Sequence, residues 1–124
     1  MALKVGNVQQ AKAGTVARTD TAAKTVFTVP AGAMIYRVLA QGAAADSATS
    51  STVTFQARPI SSATAATFGT CDVKTAGIET AGRNATLSGI ALNRLSEPYV
   101  ITAAYSETGA ASTGGPWTFL VEYL

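Results

Sequence analysis

The sequence predicts an all-β domain, an antiparallel two-sheet sandwich of about seven to nine strands. Apolar residues recur with period two in the clearest segments, no long stretch carries a helical period, and Gly, Pro, Ser and Asn punctuate the chain at short intervals. With 124 residues there is room for one domain and one core.

In chain order, residues 1–24 lack a strong period and are expected to form an extended N-terminal arm, preceding a sandwich domain over residues 25–124. Within the arm, residues 14–19 could add an edge strand, and Gln9 to Ala13 could form a helical turn. Thr25–Val29 then reads as a strand. Pro30-Ala31-Gly32 follows as a turn, with proline presetting φ at its second position in a type I geometry, and Met34–Leu39 is the next strand. Residues 42–51 are a Ser/Ala-rich loop. Over residues 52–58 the alternation is complete: Val53, Phe55 and Ala57 face one way, and Thr52, Thr54, Gln56 and Arg58 the other, with Pro59 ending the strand. Residues 67–74 and 84–92 are weaker strands around the Gly77 to Gly82 turn region. Tyr99, Ile101, Ala103 and Tyr105 alternate with Val100, Thr102 and Ala104. Trp117, Phe119, Val121 and Tyr123 alternate with Thr118, Leu120 and Glu122. The last two strands are expected to form a hairpin with a long exposed tip at 106–116. The predicted core contains Phe27, Val29, Val53, Phe55, Ile101, Phe119 and Val121.

Composition points to binding and assembly rather than catalysis. The chain has no histidine, so the usual general base, the Ser-His-Asp and Cys-His arrangements and the commonest zinc ligand are missing. Cys71 is the single cysteine and excludes an intrachain disulfide; a small buried hydrophobe is its expected role. The carboxylates are scattered, and the glycines of the 109–115 region precede a strand rather than opening a helix, so no phosphate cradle is expected. No catalytic, cofactor-binding or metal-binding residue is therefore assigned. A net charge of +2 is too small for a nucleic-acid protein. No apolar run is long enough for a membrane-spanning helix, and the first residues lack the pattern of a signal peptide, so synthesis and retention in a reducing cytoplasm are expected.

Charge is unusually scarce: charged residues make up 13% of the chain, with Ala, Thr, Ser and Gly in their place. Such a surface tolerates permanent contact with neighbours. The first 24 residues hold four basic residues against Asp20 alone, whereas the remainder holds five basic and six acidic residues. The candidate partner contacts are accordingly placed on the arm, at Lys4, Val5, Val8, Lys12, Val16 and Arg18. Ordering such a segment costs roughly 1–2 kcal/mol per residue, which exposed ion pairs alone do not offset. The valines are therefore expected to carry the contact.

The segment Thr25-Val26-Phe27-Thr28-Val29-Pro30-Ala31-Gly32-Ala33-Met34-Ile35, with the alternating strand that follows, resembles a T-x-F-x-V-P-A-G-A strand–turn–strand of small β-sandwich proteins in tailed bacteriophages. The specific likeness covers residues 25–41, and the hairpin ending in Trp117–Tyr123 is similar in style. The family resembled is the capsid decoration, or cement, proteins. The resemblance implies a jelly-roll-like sandwich and a homo-oligomer, with a homotrimer first and a dimer second. It also implies the major capsid protein as partner, a place on the capsid exterior and synthesis in a bacterial host cytoplasm. A fibre or tail-associated module and a carbohydrate-binding sandwich are the alternatives; the latter would need exposed aromatics, with Tyr36, Tyr99 and Tyr105 as candidates.

Overall fold

The computed structural model describes residues 10–124. They form strands β1 (Gln10–Val16), β2 (Lys24–Val29), β3 (Ile35–Gly42), β4 (Ser50–Pro59), β5 (Ala66–Asp72), β6 (Arg83–Asn84), β7 (Thr86–Leu87), β8 (Tyr99–Thr108) and β9 (Trp117–Tyr123), with no helix among the described residues. One sheet has the order β1-β9-β3-β6 and the other β2-β8-β4-β5-β7, with every pairing antiparallel. The two sheets pack face to face as a sandwich. The pairing is nested: β4 pairs with β5, β3 with β6, β2 with β8 and β1 with β9.

The alternating segments set the layers. Val53, Phe55 and Ala57 of β4 point inward with Ile101, Ala103 and Tyr105 of β8; Trp117, Phe119, Val121 and Tyr123 of β9 face them from the other sheet. Phe55 and Phe119 meet edge to face across the layer, with centroids 5.0 Å apart, and Tyr105 stacks on Trp117 at 4.9 Å. Such pairs favour one packing over its competitors as well as burying area. Of the predicted core, Val29, Val53, Phe55, Ile101, Phe119 and Val121 are buried, whereas Phe27 is only half-buried, lying against Phe119 from edge strand β2. Cys71 is buried, 1% exposed.

Several expectations need correction. Residues 10–16 are neither an arm nor a helical turn. They pair with the whole of β9, from Gln10 opposite Tyr123 to Val16 opposite Trp117, and Val16 is 0% exposed in the core. Residue 25 is thus no boundary between arm and domain. The turn after β2 is closed by the Ala33 N–H donating to the Pro30 carbonyl, with Gly32 at φ +83° in its third position. That is type II geometry, which favours glycine, and Pro30 is its first residue. Of the expected strand at 84–92 only Asn84, the end of β6, and Thr86–Leu87 are extended; turns follow. The expected hairpin of the last two strands is also absent: β8 and β9 lie in different sheets and do not pair, so residues 106–116 cross from one sheet to the other. The crossing is partly packed, with Ser112 2% exposed, its N–H donating to Glu107, and the Gly115 N–H donating to the Ala43 carbonyl.

Candidate interaction surface

The carboxylates found in the fold are mostly occupied in holding loops and strands. Glu122 is buried on the outer side of β9 and accepts two hydrogen bonds from Arg37, at 2.6 and 2.7 Å. Arg37 is brought opposite it by the register shift between Ile35 and Arg37. The guanidinium hydrogen bonds, more than any opposing burial, hold the Glu122 carboxyl below its ordinary range. The Ala17 N–H does the same for Asp20. Glu107 accepts from the Tyr105 hydroxyl, Glu97 from Ser61, and Asp72 from Thr75 and the Lys74 N–H. Burial pushes the Cys71 thiol up to about 11, so it stays protonated and unreactive near neutral pH. Among the described residues no group of three or more Cys, Asp or Glu side chains is arranged to hold a metal ion.

The proposed arm contacts divide. Lys4, Val5 and Val8 lie outside the described residues. Val16 is enclosed in the core and offers nothing to a partner, because it sits on the inward side of β1 beside Trp117. Lys12 shares that inward side, opposite Val121, and its Nζ crosses to β2, donating to the Thr28 carbonyl at 3.0 Å. Lys24 reaches the other way, from β2 to the Thr15 carbonyl of β1 at 3.3 Å. These bonds span the seam between the sheets. Arg18 alone of the described candidates is exposed, in the turn after β1.

No aromatic residue of the chain falls in the exposed class. Tyr105 is buried, its hydroxyl shared with Ser51 and Glu107, and Tyr36 and Tyr99 are half-buried. Among the described residues the large exposed hydrophobics are instead Ile60, at 57%, and Leu92, at 60%. Sequence reasoning missed both. Leu92 belongs to a segment read as strand, where its side chain would alternate into a core.

Strand register places both at one end of the sandwich. Gln10, Tyr123 and Ile35 are mutual neighbours at that end of one sheet, and Val29, Tyr99 and Pro59 at the same end of the other. The Ile60 N–H donates to the Pro98 carbonyl and the Leu92 N–H to the Ile35 carbonyl. Arg94 ties the end together, donating to the carbonyls of Gly32 and Leu124 at 3.0 Å each. Leu92 is also the non-glycine residue of positive φ among the described residues, at +67°. A leucine in that conformation costs about 1–2 kcal/mol more than a glycine would.

The fold belongs to the class of small two-sheet antiparallel β-sandwiches. No protein-family model and no curated protein matches the chain. Among solved structures it is similar to a chain of the cyanophage Pam1 capsid asymmetric unit, with a TM-score of 0.58 and 22% identity over 99% of this chain and 89% of that one. At that identity the likeness is one of fold.

Proposed function

We propose that this chain is a structural protein of a phage particle, and within that role a decoration protein that binds the outside of the assembled capsid and reinforces it. The observation that carries the reading is the fold shared, over nearly the full length of both chains, with a component of a cyanophage capsid asymmetric unit. The low charge and the carboxylates engaged in structural bonds support a role in contact rather than catalysis. We read the nested strand pairing as jelly-roll winding, in keeping with the same class.

The partner in this reading is the major capsid protein, and the protein itself assembles as a homotrimer, made in the host cytoplasm and carried on the capsid exterior. It needs no cofactor, nucleic acid or membrane. A carbohydrate-binding role is disfavoured by the lack of an exposed aromatic side chain, since sugar platforms rely on them. The test is quantitation of the protein in purified particles of the encoding phage, together with its binding to heads assembled without it. Saturable binding to the shell in copy numbers comparable to the capsid protein, with a raised melting temperature of the heads, is expected. Recovery only with tails or fibres, or absence from particles, would reject the decoration role.

A further inference from the structure

We infer that two segments crossing between the sheets, at the end of the sandwich opposite Leu92, form a single clasp that closes and opens as one unit. The inference is independent of the decoration reading. Residues 43–49 lead from β3 to β4 and residues 109–116 from β8 to β9, each passing from one sheet to the other. Because β3 neighbours β9 and β4 neighbours β8, Gly42 lies opposite Trp117 and Ser50 opposite Thr108. The register thus sets the two crossings side by side. Their backbones are stitched together: the Gly115 N–H donates to the Ala43 carbonyl at 2.9 Å, and the Thr49 N–H to the Thr108 carbonyl at 2.8 Å. The approach is close enough to need glycine. A Cβ at Gly114 would stand 2.9 Å from the Ala44 carbonyl oxygen, and one at Gly109, where φ is +83°, would run into Thr49.

Beneath the stitches, one buried polar network serves both crossings. Tyr105, 1% exposed, holds its hydroxyl 2.8 Å from the Glu107 carboxylate and 3.2 Å from Ser51 Oγ. Glu107 also accepts from the Ser112 N–H, in one crossing, and Ser51 donates to the Ala45 carbonyl, in the other. Ser51, Ser112 and Ala45 are all buried. Lifting either crossing strips a partner from a buried polar group, and water reaches that group only when its neighbour lifts too. Networks of this kind hold as a set. Two loops sharing one such network make a local opening unit with a closed and an open state. A contact made on one crossing is then felt by the other, through the equilibrium they share.

The test is amide hydrogen exchange of the full chain, read residue by residue by NMR, for wild type, Ser51→Ala and Tyr105→Phe. In wild type the Ala45, Thr49 and Gly115 amides should share one opening constant and one dependence on urea. Ser51→Ala removes a contact of residues 43–49 alone, and Tyr105→Phe keeps the ring that stacks on Trp117. In each variant all three amides should exchange at least about fivefold faster and by a common factor, as loss of a buried hydrogen bond implies. The Leu92 and Ile60 amides, bonded to Ile35 and Pro98 at the opposite end, should keep their wild-type rates. Unequal opening constants in wild type, or a Ser51→Ala effect confined to Ala45 and Thr49, would show two independent loops and overturn the inference. Unchanged rates in both variants would overturn it too, as would equal acceleration at Leu92 and Ile60, which would make the network a support of the whole sandwich. Should a variant not fold, the wild-type urea series decides alone.

Discussion

Gly14 shows how one residue's size is set by a neighbour distant in sequence. It lies on the inward side of β1, opposite Phe119, and a Cβ built there would stand 2.6 Å from the tip of the Phe119 ring. That ring cannot retreat easily, because it is 1% exposed and flanked by Phe27 and Phe55. Replacing a strand glycine by alanine usually gains up to about 1 kcal/mol from the unfolded state. Here overpacking, at about 1–3 kcal/mol, outweighs that gain. Gly14→Ala should therefore lower the unfolding free energy in urea, by about 1–2 kcal/mol after the two effects are set against each other. An unchanged or raised midpoint would show that β1 packs less tightly against Phe119 than the geometry requires.

At the scale of elements, β1 decides whether the N-terminal region is an appendage or part of the sandwich. A chain starting at Gln10 keeps every described contact and serves as the reference. One starting at Thr21 loses the edge partner of β9 and the burial of Val16, which alone is worth about 1.5–3 kcal/mol. Its melting temperature should fall by roughly 5–15 °C, readable by circular dichroism. Equal melting of both truncations would return residues 10–20 to the status of a detachable arm. The sequence concealed this strand because its inward positions are Lys12, Gly14 and Val16. A charge and a missing side chain break the apolar period, and Phe119, the reason for the glycine, comes from the far end of the chain. β4, β8 and β9 were legible because each buries one face in a continuous layer of alternating apolar residues. The 106–116 loop misled for the reverse reason: its small residues read as solvent-facing, but at Ser112 and Gly115 small size permits packing. Of the interaction surface, the arm's residues could be named from charge and valine content. Leu92 could not, because neither its positive φ nor its exposure leaves a mark in the local pattern.

For the whole molecule, the distribution of titrating groups sets the response to pH. The chain has no histidine, so stability should be nearly flat from about pH 8 down to about pH 5. Glu122 and Asp20 both have folded-state values below their ordinary 4.5 and 3.8. A depressed carboxyl contributes stability that is fully present above its unfolded value and lost as pH falls through the folded one. The melting temperature should therefore drop below about pH 4.5, and continue to drop as each carboxylate takes up its proton. Glu122→Gln should lower stability at neutral pH and make the acid limb shallower, since one of the groups that generates it is gone. A steep loss already at pH 6, or an acid limb unchanged in the variant, would contradict this assignment.

The lysines that cross between β1 and β2 have a consequence for how the protein behaves in a crowd. These strands, of seven and six residues, border their sheets on the same side of the sandwich, and a bare border of that length is a template for the strand of another molecule. Lys12 occupies the Thr28 carbonyl and Lys24 the Thr15 carbonyl. An arriving strand would have to displace both bonds and bury the two ammonium groups. The borders are thereby made poor templates, and copies can stand shoulder to shoulder at high density as separate folded units rather than fusing into a continuous fibrillar sheet.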